Sequence, residues 1–484
     1  MDLFKKYLDR TSMDHKQYQY DGVAWCVKNE TCVNPPCNVR GGFVADEMGL
    51  GKTIMMIGTF LCNFVPNTLI VVPPILIDQW YTQILRTTGH KALIYHGVDK
   101  KTITLDQLSR ATIVITTYGA ITLTKKQVKD DFITPLHKVN WSRIVFDEAH
   151  HLRNRKTTLY LSTMLLKANI RWLVSGTPVQ NKKQDFYSLC SVLKIPTSFY
   201  TDSANLPTLA RAFILKRTKT QVGIQMAPIV VTSNIVNWQN KKEMELSEEL
   251  HSALAFSHVS GNKGNKLMVN TFSEGGILAL MLRTRQSCIL PKLMAPYLDK
   301  LIALGFLNNY ESYQEAFDHS SKLDSVVQSI LERKGNGCGK IIFCQFKEEI
   351  DTIAAKLRAG GMDSVVTFDG RTSATKRSTI LREKNEALIL QIQTGCEGLN
   401  LQENYSEIYF VSPHWNPAVE DQAVARCHRI GQLKPVMVQK FEMCNFVSDD
   451  DQQIHTKTMD TYISNVQERK RYIAIECMEN VHNN

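Results

Sequence analysis

The stretch Asp46-Glu-Met-Gly49-Leu-Gly51-Lys52-Thr53 sets two glycines, a lysine and a hydroxyl directly ahead of the apolar Ile54-Met-Met-Ile57. That is the layout of a phosphate cradle. Glycines let the backbone curl until successive N–H groups face one anion, and the N-terminus of the helix that follows adds partial positive charge. Lys52 is then the cation for the β- and γ-phosphates, and Thr53 a hydroxyl ligand for Mg2+. The generic loop has glycine where this chain has Asp46, and read locally the same residues also make an ordinary turn into a helix. Further along, Asp147-Glu148 closes the apolar run Arg143-Ile-Val-Phe146. Two acids with separate duties suit phosphoryl transfer, one holding Mg2+ and the other orienting an attacking water. Asp147 is the expected metal ligand and Glu148 the expected catalytic carboxylate; alone, the pair also reads as a helix-capping turn. Towards the other end, Gln422, Arg426 and Arg429 are spaced four and three apart, which predicts a single helical face. Two guanidiniums there can stabilise charge on a transferring phosphoryl group, or can simply be solvated.

These residues need a scaffold that brings strand ends together. Thr68–Pro73, Ala92–Tyr95, Thr112–Thr117, Arg143–Asp147 and Arg171–Ser175 read as short β-rich runs separated by helical segments, such as the one opened by Asp78-Gln79-Trp80. That alternation predicts an α/β architecture, a parallel sheet covered on both faces, with ligands at the carboxyl ends of its strands. Ser175-Gly176-Thr177-Pro178 follows the last run, where small hydroxyls at a turn can sense a γ-phosphate; read locally it is a β-turn. Gln19, on the helical stretch Tyr18–Trp25, pairs a donor with an acceptor as the edge of adenine requires, though a surface glutamine is the commoner explanation of any single Gln.

Beyond residue 225 the strand signals fade. Met244–His258 and Gly276–Leu290 look helical around the Gly261–Lys266 stretch, and Arg283 and Arg285 form a basic patch that either touches phosphates or is solvated. Alternation returns with Lys340–Phe346, Ser364–Phe368, Ala387–Leu390 and Glu407–Val411. No second Gly-x-Gly-Lys-Thr accompanies this sheet, so it is not expected to hold a nucleotide of its own. The expected division is residues 1–225, a helical region 226–335, a second sheet domain 336–445 and a helical brace 446–484 that begins at Asp449-Asp-Asp451.

The chain has 484 residues, 43% of them hydrophobic, and carries a net charge of +10. That composition excludes a disordered chain, and the basic balance favours a polyanionic partner without requiring one. Twelve cysteines occur with no C-x-x-C pair, which argues against structural zinc and fits reduced thiols in a nuclear or cytoplasmic setting. No apolar run is long enough to cross a membrane, so neither a membrane span nor secretion is expected.

Together, Asp46–Thr53, Asp147-Glu-Ala-His150, Ser175–Asn181 and the basic Leu215–Lys219 closely resemble the first motor lobe of the SWI/SNF family of DNA-dependent ATPases in helicase superfamily two. In that family Asp at position 46 is normal. Thr394-Gly-Cys-Glu-Gly-Leu-Asn400 and Gln422-x-x-x-Arg426-x-x-Arg429-x-Gly-Gln432 resemble motifs of its second lobe. The resemblance implies two RecA-like lobes with a helical insertion, ATP and Mg2+ as cofactors, and duplex DNA with its bound proteins as partners. It implies that Gln19, Asp46, Gly49, Gly51, Lys52, Thr53 and Gln422 hold the nucleotide, and that Arg426 and Arg429 join Lys52 and Glu148 in hydrolysis. Thr116, Thr117, Gln345, Thr394, Gly395 and Asn400 would contact nucleic acid, and Ser175, Gly176 and Thr177 would couple the two activities. Cys396 departs from the glycine of many relatives. The wording around Trp415-Asn-Pro417 leans toward the post-replication-repair and transcription-termination branch, and the compact chain is compatible with a viral member. A strand-unwinding helicase, an RNA-directed transcription ATPase and a catalytically silent DNA-binding scaffold stay open as alternatives.

Overall fold

The computed structural model describes residues 1–129, 133–176, 183–259, 274–307, 313–395, 399–447 and 454–482. They form two compact units, one of residues 1–225 with 470–484, the other of residues 226–469. Among the described residues no helix is long and apolar enough to cross a membrane.

The first unit is built on seven strands: β1 Arg40–Val44, β2 Thr68–Val72, β3 Leu93–Tyr95, β4 Ile113–Thr117, β5 Asn140–Asp147, β6 Lys167–Val174 and β7 Ile214–Leu215. They lie in the order β3-β4-β2-β5-β6-β1-β7, every pair parallel. The near-continuous apolar runs follow from burial on both faces. Leu69 and Val71 enter one core with Phe43, Val114 and Phe146, while Ile70 and Val72 enter the other with Val44, Ile115 and Trp172. Successive strand residues point to opposite faces, so both must be apolar. Helix Ile77–Thr88 buries Ile77, Trp80 and Ile84 along one stripe and stops at Gly89, whose left-handed backbone lets its N–H donate to Leu85 O. Below the sheet, Glu30 accepts from Arg143 Nε at 2.6 Å, Trp172 Nε1 at 2.7 Å and Asn63 Nδ2 at 2.7 Å, tying two helices to two strands.

The second unit carries six strands: β8 Ile229–Val236, β9 Gly339–Cys344, β10 Val365–Phe368, β11 Ala387–Gln391, β12 Tyr405–Phe410 and β13 Val436–Met443. Their order is β10-β11-β9-β12-β13-β8, again all parallel. Two elements differ from the sequence reading. Residues 226–335 are not helical throughout, because β8 pairs with β13 over eight consecutive residues. Its β-branched run is exposed along most of its length at the sheet's edge, so it lacks the apolar alternation that marks a half-buried strand. The final helix starts at Met459, after the small antiparallel pair β14 Phe446–Val447 and β15 Ile454–Thr456; the acidic run 449–451 lies outside the described residues. The two helices expected near 244 and 276 are present as Lys241–Val259 and Glu274–Ile289; residues 261–266 lie outside the described residues.

Candidate nucleotide site

β1 lies between β6 and β7, and the loop that leaves it keeps to the sheet for two more bonds, Ala45 N–H to Leu215 O at 2.7 Å and Glu47 N–H to Arg217 O at 2.9 Å. Gly49 and Gly51 then take φ of 93° and 83°, a region that L side chains rarely enter. At Gly51 space is short as well, since a Cβ there would lie 2.5 Å from Gln19 Nε2. Gly51 is the N-cap of helix Lys52–Cys62, so the loop ends where the helix presents its unpaired N–H groups. Lys52 folds back over the loop and donates to Asp46 O at 2.9 Å. Gln19 is buried against the loop and donates to Leu50 O at 3.2 Å.

Asp46 has a different task from the one its position suggests. Its carboxylate is fully buried and is gripped by Arg217, with Nε to Oδ1 at 3.1 Å and the terminal nitrogen to Oδ2 at 2.5 Å. It therefore fastens the loop to the segment after β7, and only its main chain faces Lys52. Glu47 repeats the arrangement more loosely, accepting from Lys219 N–H at 2.8 Å and pairing with Lys219 Nζ at 3.2 Å.

The acidic pair emerges from β5, one strand removed from β1. Asp147 Oδ2 accepts from Trp80 Nε1 at 2.7 Å, Oδ1 accepts from Glu148 N–H at 3.0 Å, and the Asp147 carbonyl accepts from the Tyr118 hydroxyl at 2.6 Å. Burial, helped by the neighbouring Glu148 charge, pushes the Asp147 carboxyl above its ordinary range, against the pull of the Trp80 bond and the Lys52 charge. Glu148 adopts φ 51° and ψ 48°, a left-handed conformation uncommon outside glycine and concentrated at functional sites. Its Oε2 is 3.3 Å from His150 Nδ1, which also lies 3.5 Å from Ser175 Oγ. Between the two loops, β6 ends at Ser175-Gly176, and a Cβ on Gly176 would stand 3.4 Å from Lys52 Nζ. Three neighbouring strand ends thus bring together the lysine, the acid pair and the Ser175-Gly176 turn; Thr177 lies outside the described residues. Thr53 is half-buried, and its hydroxyl has no hydrogen-bond partner among the described residues. A buried carboxylate with acceptor capacity left over, and a hydroxyl without a partner among the described residues, are both groups that a hard divalent cation takes as ligands.

The residues expected to face nucleic acid divide. Thr116 is fully buried at the end of β4 and its hydroxyl donates to Tyr95 O at 2.8 Å, while Thr117 caps the helix Tyr118–Ile121 through Ala120 N–H at 3.3 Å. Their side chains are buried and bonded inside the protein, so neither hydroxyl is presented to solvent. Gln345 is half-buried just past β9, and Thr394 and Gly395 close the short helix Ile392–Gly395, with Cys396 and Glu397 outside the described residues. Asn400 is exposed and accepts a hydrogen bond from Arg429.

Gln422, Arg426 and Arg429 do not share a helical face. The helix Pro417–Val424 stops before the arginines, and tighter bonds such as Arg426 N–H to Ala423 O at 3.2 Å carry the chain into turns. Gln432, at the end of that motif, pins those turns by donating to Gln402 O and Tyr405 O, both at 2.9 Å. Gln422 itself is buried, with an amide nitrogen that finds no partner among the described residues. Arg285 is no surface patch: it is buried and donates to Pro413 O at 2.6 Å, while Arg283 lies over the Tyr297 ring. Sequence reasoning placed Arg217, Trp80, Tyr118 and His150 within family motifs, Tyr118 in one expected to contact the DNA backbone, but named no partner inside the protein for any of them. The first three meet their partners far along the chain, and only the basic run Leu215–Lys219 hinted that one of them had a partner to find.

A family model described as the SNF2-related domain matches residues 18–293, and one described as the helicase conserved C-terminal domain matches residues 321–431. The DNA repair protein RAD5B of Arabidopsis thaliana is 25% identical over 86% of this chain and 45% of its own length. A protein described as "Probable global transactivator" from Orgyia pseudotsugata multicapsid polyhedrosis virus is 27% identical over 88% of this chain and 85% of its own. The chain therefore spans less than half of the plant relative and most of the viral one. Among solved structures, the Pyrococcus furiosus Hef helicase domain shares the fold with a TM-score of 0.51 at 17% identity, covering 89% of this chain and 95% of that one.

Proposed function

The chain belongs to the SNF2-related family of helicase-like ATPases, and from that premise we propose that it is an ATP-dependent translocase on duplex DNA that remodels DNA-bound proteins. The observation that supports this most is the convergence of Lys52, the Asp147-Glu148 pair and Ser175-Gly176 at three neighbouring strand ends. In this reading the Gly49 to Thr53 loop binds the phosphates, Gln19 the base, and Glu148 orients the water that attacks the γ-phosphorus. Thr53 and Asp147 would hold Mg2+, which when bound would supply positive charge to offset that of the phosphates. Arg426 and Arg429 are assigned to the developing charge on the transferring group, and Gln422 to the nucleotide, on the strength of their motif. Ser175 and Gly176, packed against the loop, report the state of the γ-phosphate. Gln345, Thr394, Gly395 and Asn400 remain candidates for the DNA backbone. Backbone contacts carry little sequence information and weaken steeply with salt.

The test is ATP hydrolysis at fixed salt across duplex DNA, single-stranded DNA and RNA, followed by displacement of a triplex strand on the best activator. Stimulation by duplex with triplex displacement is expected. Preferential stimulation by single strands favours an unwinding helicase, and by RNA a transcription ATPase. No stimulated turnover at all favours a silent scaffold, although the intact arrangement of Lys52, Asp147 and Glu148 speaks for turnover. The relatives' names point to repair and to transcriptional activation, and a nuclear or viral replication site is the proposed setting.

A further inference from the structure

We propose that Trp80 and Tyr118 are positioning residues that hold Asp147, by side chain and by main chain, in the one orientation that serves its metal. This rests on the nucleotide reading above. Trp80 lies on the helix that follows β2, and Tyr118 opens the helix that follows β4; these strands stand side by side next to β5 in the order β4-β2-β5. Each neighbouring strand thus sends one side chain across to the last residue of β5. Trp80 is wholly buried, and its indole N–H donates to Asp147 Oδ2 at 2.7 Å. The other oxygen, Oδ1, accepts the Glu148 N–H at 3.0 Å. A carboxylate tethered at one oxygen still swings about its last bond, whereas one tethered at both has its plane fixed. Among the described residues each oxygen accepts only that one bond, and an ionised carboxylate oxygen has two acceptor positions, so each keeps one for a ligand.

Tyr118 adds a different restraint. Its hydroxyl donates to the Asp147 carbonyl at 2.6 Å, which fixes the peptide plane leading into the left-handed Glu148. Two carboxylates with different duties leave the same peptide, so orienting that peptide aims both. Neither bond is needed merely to fill the core. Phenylalanine at either position supplies most of the same apolar surface, and a buried indole or phenol keeps its polar atom only where it has a partner. Groups that orient a metal ligand from behind typically change metal affinity 10–100-fold when removed.

The experiment measures binding of fluorescent mant-ADP to the full chain with and without Mg2+, so its readout is affinity and not turnover. Trp80→Phe is expected to cut the Mg2+-dependent gain in affinity by roughly tenfold or more while leaving metal-free binding unchanged. Tyr118→Phe should cut it about fivefold, the worth of one ordinary hydrogen bond. Asp147→Asn should remove most of the gain, and adding Trp80→Phe to it should cost nothing further, since both act through one carboxylate. A wild-type gain in Trp80→Phe, an equal loss with and without Mg2+, or additive losses in the double variant would each overturn the proposal. Should Trp80→Phe fail to fold, Tyr118→Phe keeps the whole ring and decides the matter alone. A wild-type chain that binds mant-ADP no better with Mg2+ removes the nucleotide reading, and this proposal with it, a result distinct from any variant outcome.

Discussion

In the first unit, polar side chains collect around the ends of β1, β5 and β6, where Lys52 lies over the loop carbonyls and, among the described residues, Thr53 keeps an uncommitted hydroxyl and Asp147 free lone pairs. In the second unit, the buried ions close on one another. Lys322 pairs with Asp460, both fully buried, and Asp460 also accepts the Met443 N–H at 2.9 Å. Glu420 accepts from His414 N–H at 2.8 Å, Gln467 Nε2 at 2.6 Å and Lys440 Nζ at 2.7 Å. Glu407 is held by Arg333 Nε and Asn336 Nδ2 at 2.9 and 2.7 Å. The frameworks match, two open parallel sheets with helices on both sides, yet the first gathers its lysine, acid pair and Ser175-Gly176 turn at adjacent strand ends, whereas the acids of the second named above close on bases and amides of their own unit.

The comparison is broken most directly at Glu148. Glu148→Gln should lower DNA-stimulated hydrolysis by roughly 10^2–10^4-fold, the usual span for a general base, with duplex affinity nearly unchanged by filter binding. Retained turnover would mean that the incomplete groups of the first unit are not the catalytic ones. Next come the two buried pairs, which should behave alike in stability and differently in function. Arg217→Ala and Lys322→Ala should each cost about 3–5 kcal/mol in denaturant unfolding, because each leaves a buried carboxylate alone. Only Arg217→Ala should also weaken mant-ADP binding, since Asp46 fastens the phosphate loop.

A third contrast is pH. His251, in the second unit, accepts the Met459 N–H at Nε2 and donates from Nδ1 to Ser247 O; it lies beside Cys288 and near the Lys322–Asp460 pair, and burial lowers its pKa to about 4. The native imidazole stays neutral while the unfolded chain takes up a proton below about 6.5, so stability is full above that pH and is lost as pH falls toward 4. The loss amounts to about 3 kcal/mol. Denaturation of wild type and His251→Gln at pH 7 and pH 5 should show the steeper loss in wild type. The smallest effect belongs to Thr116→Val, which should cost about 1 kcal/mol by removing one buried hydrogen bond and leave duplex affinity untouched.

Much of this was legible in the sequence where local pattern and function coincide. The loop Gly49–Thr53 announces itself because left-handed backbone needs glycine, and β2 and β5 because burial on both faces leaves only apolar residues. What stayed hidden depends on distance along the chain or on exposure. Nothing near Asp46 names Arg217, and nothing near Asp147 names Trp80 or Tyr118. β8 was obscured because an edge strand open on both faces has no alternation to display. Spacing alone misplaced Arg426 and Arg429, since an i, i+4, i+7 pattern holds only while the helix continues, and this one ends at Val424.

The bond between Asp46 and Arg217 spans 171 positions. During synthesis, the phosphate loop leaves the ribosome long before the guanidinium that fastens it, while its carboxylate still has water for a partner. A nascent chain halted short of Arg217 should thus be unable to retain nucleotide although the whole Gly49–Thr53 loop has already been made. The order of translation leaves that loop unfastened until the first unit is nearly whole.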